Sequence, residues 1–158
     1  MLKIPAKISD DFFDSHIKRG TIIRTLYKFE NTPKEVYKYF ILVSQNVTDN
    51  PLVFVITTSN IGFYLKHPSF NNDAISIVAN TLPCFPLDTV LDCRLIYPLN
   101  RDVLKGNFQV NVLEFCGELP KHLIERVDDV IKSSRHISIK NKKLILGDNY
   151  QTRNNKTE

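Results

Sequence analysis

The 158-residue chain has no tryptophan, one methionine, five glycines and three cysteines, and the shortages of glycine and cysteine each close a class of function. The glycines form neither GxGxxG nor GxxxxGK(S/T), so the sequence encodes no backbone loop of the kind that cradles a nucleotide phosphate. Cys84, Cys93 and Cys116 are odd in number and include no CxxC pair, which argues against a disulfide framework or a structural zinc site. His16, His67, His122 and His136 never fall at the i, i+4 spacing of a helical metal pair. Neither a metal nor a cofactor is expected. No apolar run approaches the roughly 18 residues that cross a bilayer, and Met1-Leu2-Lys3-Ile4-Pro5 holds no signal-peptide core. A cytoplasmic protein with no membrane partner is the expectation.

Surplus charge is also missing from most of the chain. Residues 1–134 hold 15 basic and 15 acidic side chains, and residues 135–158 hold six and two, so the whole formal charge of +4 lies in the tail. Any anion-binding surface on the body must therefore be a local arrangement of side chains rather than a general basic field. An apolar fraction of 42% with 24% charged residues is that of a globular domain, and ten Phe with six Tyr supply bulk in the absence of Trp. A body of this size buries a core without staples.

Ser9-Asp10-Asp11-Phe12-Phe13 reads as a capped short helix that stops by Gly20. Short β-branched and aromatic runs follow: Thr21–Lys28, Tyr39–Ser44, Leu52–Thr58, Ile61–Leu65, Ala74–Ala79, Val90–Tyr97 and Phe108–Val112, separated by polar or proline-bearing breaks. No stretch between Gly20 and Val90 has the 3.6-residue period that crossover helices of a parallel sheet need. The class is mainly β with a C-terminal helix. A short helix is expected over Asn100–Lys105, closed by Gly106. A stronger one begins at Pro120, with Leu119, Leu123, Ile124, Val127, Val130 and Ile131 on one face. Ile137, Ile139 and Leu144-Ile145-Leu146 suggest one more strand before a frayed end over residues 149–158.

In this order of elements, three late segments carry a resemblance: Val90-Leu91-Asp92-Cys93-Arg94-Leu95-Ile96, Leu99-Asn100-Arg101-Asp102-Val103-Leu104, and Gly117-Glu118-Leu119-Pro120 onward to Ile131. Three early strands join them: Gly20–Ile23, Lys38–Ser44 and Val53–Ser59. Together they resemble the PemK/MazF family of toxin endoribonucleases over most of residues 20–134. The resemblance implies a small SH3-like barrel over residues 20–134; the patterns on either side make residues 1–19 an N-terminal helical extension and 135–158 a basic, partly disordered tail. It further implies metal-independent cleavage of single-stranded RNA, a homodimer, and an antitoxin protein as partner.

Family members carry an Arg-Pro pair at the start of the second strand and Thr-Ser at the end of the third. Thr58-Ser59 matches the second motif, and Lys38-Tyr39 stands at the first. Lys38 and Thr58 are accordingly the expected catalytic residues, with Arg24, Ser59, His67 and Arg94 as the RNA-binding set. Metal-free cleavage must activate a 2′-hydroxyl, stabilise the phosphorane and protonate the leaving oxygen. An ammonium supplies charge to the second task as a point, without the two-pronged grip of a guanidinium. Read as residues alone, Lys38 is equally a solvated strand-end lysine, Arg24 an edge charge, and Arg94 the same-face salt-bridge partner of Asp92. The rival class is a catalytically degenerate SH3-like barrel that binds RNA or a protein partner.

Overall fold

The runs Tyr39–Val43 and Leu52–Ile56 are apolar at nearly every position, which suits strands buried on both faces rather than on one. A computed structural model of the chain describes residues 5–147 and residue 150, and both runs are strands of that kind. Helix α1 (Ala6–His16) precedes strands β1 (Thr21–Tyr27), β2 (Val36–Leu42) and β3 (Leu52–Thr58). Helix α2 (Ile61–Lys66) and a 3₁₀ turn (Pro68–Asp73) lead to β4 (Ala74–Ile77) and β5 (Thr89–Leu99). Helix α3 (Arg101–Gln109), β6 (Leu113–Glu118), α4 (Lys121–Ser133) and α5 (Ile139–Leu146) complete the described chain.

The strands form one antiparallel sheet in the order β4-β5-β3-β2-β1-β6. No ladder joins β4 to β6 among the described residues, so hydrogen bonding leaves the sheet open. The loop between β4 and β5 nevertheless reaches the far edge, where the Cys84 thiol meets the Cys116 carbonyl of β6. Each sheet face buries its own core. Ile22, Ile41, Val43, Val53, Val55, Ile75 and Leu91 pack with Val127 and Ile131 of α4 and Ile145 of α5. Ile23, Phe40, Leu42, Leu52 and Phe54 pack with Phe13 and Ile17 beside α1 and Leu104 of α3. Burying Val127 and Ile131 contributes roughly 1.5–3 kcal/mol each. Helix α4 and the central strands thus agree with the pattern of the sequence, and α1 agrees in place but not in its cap: it begins at Ala6 after Pro5 with no side-chain cap bond, and Ser9 and Asp10 lie within it.

Three expectations do not hold. Ile61–Leu65 is helix α2 and not a strand: the apolar run is too short for its period to be decisive, and as a helix it buries Tyr64 while leaving Leu65 in solvent. Gly106 does not stop α3, which runs through it to Gln109 and absorbs part of the expected strand Phe108–Val112. The stop is Asn111, at φ +62°, in the left-handed region where Asn is the usual substitute for glycine. The strand begins only at Leu113. The third is α5: Ile139–Leu146 is a helix capped by the Ser138 hydroxyl, which accepts from the Asn141 N–H, with Ile145 fully buried. The frayed end expected over residues 149–158 falls almost wholly outside the described residues. No helix among the described residues is long and apolar enough to cross a membrane.

Candidate functional site

Pairing between β2 and β3 covers only Phe40–Ile56, Ile41–Val55 and Leu42–Phe54. Beyond Phe40, β2 continues against β1 as far as Val36–Tyr27, and beyond Ile56, β3 continues against β5 as far as Thr58–Val90. The two strands therefore part at this end. Continuing their register by two residues sets Lys38 opposite Thr58, one on each side of the gap, on the face that carries Phe40 and Ile56. Two cavities flank the pair and both are lined by it. One, of about 320 Å³, adds Tyr39, Thr57, Ser59, Cys84 and Phe85. The other, of about 330 Å³, adds Phe29, Phe63, Tyr64, Asp92, Arg94 and Tyr97.

The hydroxyl of Thr58 is held by its own turn, accepting from the Asn60 N–H at 3.1 Å, so its hydrogen is free to donate. Lys38 makes no ion pair among the described residues and lies 6.0 Å from the Phe29 ring. An unpaired ammonium beside a free hydroxyl donor is an arrangement suited to a phosphate oxygen.

Arg94 reaches the second cavity through an irregularity in β5. Between the pairs Phe54–Tyr97 and Ile56–Asp92, β3 contributes only Val55 while β5 contributes Cys93 to Ile96. The slack strand turns Arg94 inward between Phe63 and Phe70, whose ring centres lie 4.9 and 4.4 Å from its guanidinium carbon. Its Nε and Nη2 donate to the two oxygens of Asp92 at 2.9 and 2.7 Å, and its backbone N–H adds a third bond at 3.0 Å. Burial alone would push the Asp92 carboxyl up; the bonds from Arg94, with a smaller contribution from the neighbouring Tyr64 hydroxyl, outweigh it and hold the group below the usual carboxylate value. The same pairing raises the Arg94 pKa further.

Arg24 and His67 stand apart from the pair. Arg24 is in register with Tyr39, on the opposite sheet face from Lys38, and lines neither cavity. Its guanidinium rests over Tyr37 at 4.0 Å and pairs with Glu114 at 3.6 Å, and because β1 is paired with β2 on one side and β6 on the other, it is not the edge charge that the sequence also allowed. The imidazole of His67 packs on Phe63 and Phe70, behind the second cavity. Ser59 lines the first cavity from an exposed position. Missed by sequence reasoning were Phe29, Asn60 and Tyr97, which line the second cavity. Tyr97 ends a readable strand, but nothing in the sequence says that the strand bulges before it. Comparison with protein-family models gives no match, and a search among curated proteins gives none either.

Proposed function

We propose that the chain is a PemK/MazF-like, metal-independent endoribonuclease acting on single-stranded RNA, its sheet rolled into a small SH3-like barrel. The observation that carries the reading is the facing of Lys38 and Thr58 across the parted ends of β2 and β3, between two cavities of about 320 and 330 Å³. A scissile phosphate seated at the gap has a base on either side. Lys38 supplies positive charge as the phosphorane forms, and Thr58 donates to a non-bridging oxygen. Arg94 offers the guanidinium that the Lys38-Tyr39 pair lacks, with Ser59 at the rim. The family resemblance extends the proposal to a homodimer restrained by an antitoxin protein lying across the gap, acting in the cytoplasm.

Incubation of purified protein with varied single-stranded RNAs in EDTA tests it. Cleavage should be lost with Lys38→Ala and reduced with Thr58→Ala; no cleavage by wild type, or cleavage indifferent to both changes, removes the assignment. The occupancy of Arg94 by Asp92, together with the distance of His67 from the gap, favours a second reading: a barrel that binds RNA or a peptide without cutting it. RNA binding weakens steeply with salt as phosphate contacts release counterions, and peptide binding does not. Titrations at two salt concentrations separate these.

A further inference from the structure

The second cavity contains a buried hydroxyl with no partner. Tyr64 is only 5% exposed, and its Oη makes no hydrogen bond. Burial of an unpaired hydroxyl is unfavourable and uncommon, so a native one asks for an explanation. Its polar neighbours are the Asp92 carboxylate and the Arg94 guanidinium, both near enough to act on its ionisation as hydrogen-bonding groups, yet neither is placed at the distance and angle of a formed hydrogen bond. The reason is visible in Asp92. Its Oδ1 accepts from Arg94 Nε and from the Arg94 N–H, and its Oδ2 accepts from Arg94 Nη2, so Arg94 satisfies both oxygens at once. Tyr64 is the donor left over.

We propose that Asp92 is an acceptor shared by two alternative donors, and that Arg94 and Tyr64 exchange on it when a nucleic-acid phosphate enters the gap between β2 and β3. The proposal rests on the RNA reading above. Without RNA, Arg94 is docked on Asp92 and Tyr64 is unpaired. On binding, the guanidinium turns toward the phosphate held by Lys38 and Thr58, which line the same cavity. The Tyr64 hydroxyl then donates to the vacated carboxylate oxygen. A buried carboxylate stripped of its partner is strongly unfavourable, and Arg94 would otherwise be unable to leave. The exchange removes most of that cost, because one unsatisfied group is resolved as another is created. The Arg94 N–H stays on Asp92 Oδ1 throughout, anchoring the backbone while the side chain moves. Tyr64 is in this scheme a positioning residue: it touches no phosphate and acts by freeing Arg94.

The test uses the full chain and a fluorescein-labelled 2′-O-methyl RNA of mixed sequence, roughly ten nucleotides long, which binds without being cleaved. Tyr64→Phe keeps the ring and deletes the hydroxyl. Its melting temperature should equal or exceed that of wild type by about 2–4 °C, since an unpaired buried group is removed. Its RNA affinity should nevertheless fall about tenfold, and the slope of log K against log salt should shrink by about 0.7, the value of one phosphate contact on a single strand. Arg94→Gln should show the same loss of slope, and Tyr64→Phe combined with Arg94→Gln should be no worse than Arg94→Gln alone. Wild-type affinity and slope in Tyr64→Phe overturn the exchange and leave the RNA reading standing. A lowered melting temperature in Tyr64→Phe also overturns it, by showing the hydroxyl to be paired. Failure of wild type to bind the RNA at all removes both.

Discussion

The two ends of the β2–β3 pair differ in composition and in what they do. At the zipped end, Phe40, Ile41 and Leu42 face Phe54, Val55 and Ile56, and all but Ile56 are fully buried. At the parted end, Tyr37, Lys38 and Tyr39 face Thr57, Thr58 and Ser59 across a gap with a cavity to either side. The same two strands thus hold the core at one end and open a site at the other. Apolar side chains on both faces reward close pairing, whereas polar side chains are better served by solvent or by a ligand. The buried core and the proposed site are separated by only two residues along each strand.

Phe54→Ala is the harshest way to probe that separation. Removing a fully buried ring from the zipped end should cost about 3–5 kcal/mol, a large part of the stability of a domain this size. Chemical denaturation should show the loss directly; a variant as stable as wild type would mean that the zipped end is not part of the core. Lys38→Ala at the parted end should do the reverse. Its stability should stay within about 0.5 kcal/mol of wild type while the cleavage rate falls by about two orders of magnitude, as when one transition-state donor is lost elsewhere. Loss of stability without loss of cleavage would invert the contrast.

Acid sharpens the comparison further, because the carboxylate of the site is buried. Asp92 has a lower pKa folded than unfolded, so its ionised form stabilises the fold. That contribution is complete above the ordinary carboxylate value of about 3.8 and disappears as pH falls through the lower folded value. Asp92→Asn should therefore be less stable than wild type at neutral pH, and the gap should narrow below about pH 3.8. Melting curves across that range measure it, and a gap independent of pH would detach Asp92 from the effect.

The smallest effect concerns the thiols. Burial pushes all three cysteines up, Cys93 and Cys116 to about 12, so each should react with an aromatic disulfide more slowly than free cysteine at pH 8. Cys84, which lines the first cavity, should react ahead of Cys93, and bound RNA should slow it. Equal rates for Cys84 with and without RNA would place the ligand elsewhere.

Some of this was legible beforehand. Strands β1, β3 and β5 announce themselves by β-branched and aromatic runs, and α4 by its apolar face, because those patterns match elements that bury what the pattern supplies. Lys38 and Thr58 were singled out by the family resemblance and not by their position alone, whereas the Asp92–Arg94 pair was legible from its spacing of two on a strand. Strand β6 was not: Leu113-Glu-Phe-Cys-Gly-Glu carries a glycine and two glutamates, and it pairs because β1 offers a free edge. Arg24 and His67 lie away from the Lys38–Thr58 pair for different reasons. Alternation put Arg24 on the far face from Lys38, and the helical turn of Ile61–Lys66 set His67 behind its aromatic neighbours.

Composition and order alone determined that this chain would be mainly β, that its central strands would be buried on both faces, and that its body would lack a general basic field. Local pattern suffices there because hydrophobic burial depends on how many apolar groups a segment has and at what period. Tertiary structure alone decided that β2 and β3 part beyond Phe40 and Ile56, that β5 bulges to carry Arg94 inward, and that Tyr64 is left without a partner beside Asp92. Each of these depends on which distant strand supplies hydrogen bonds at a given residue, and that competition is settled only when the whole sheet is assembled.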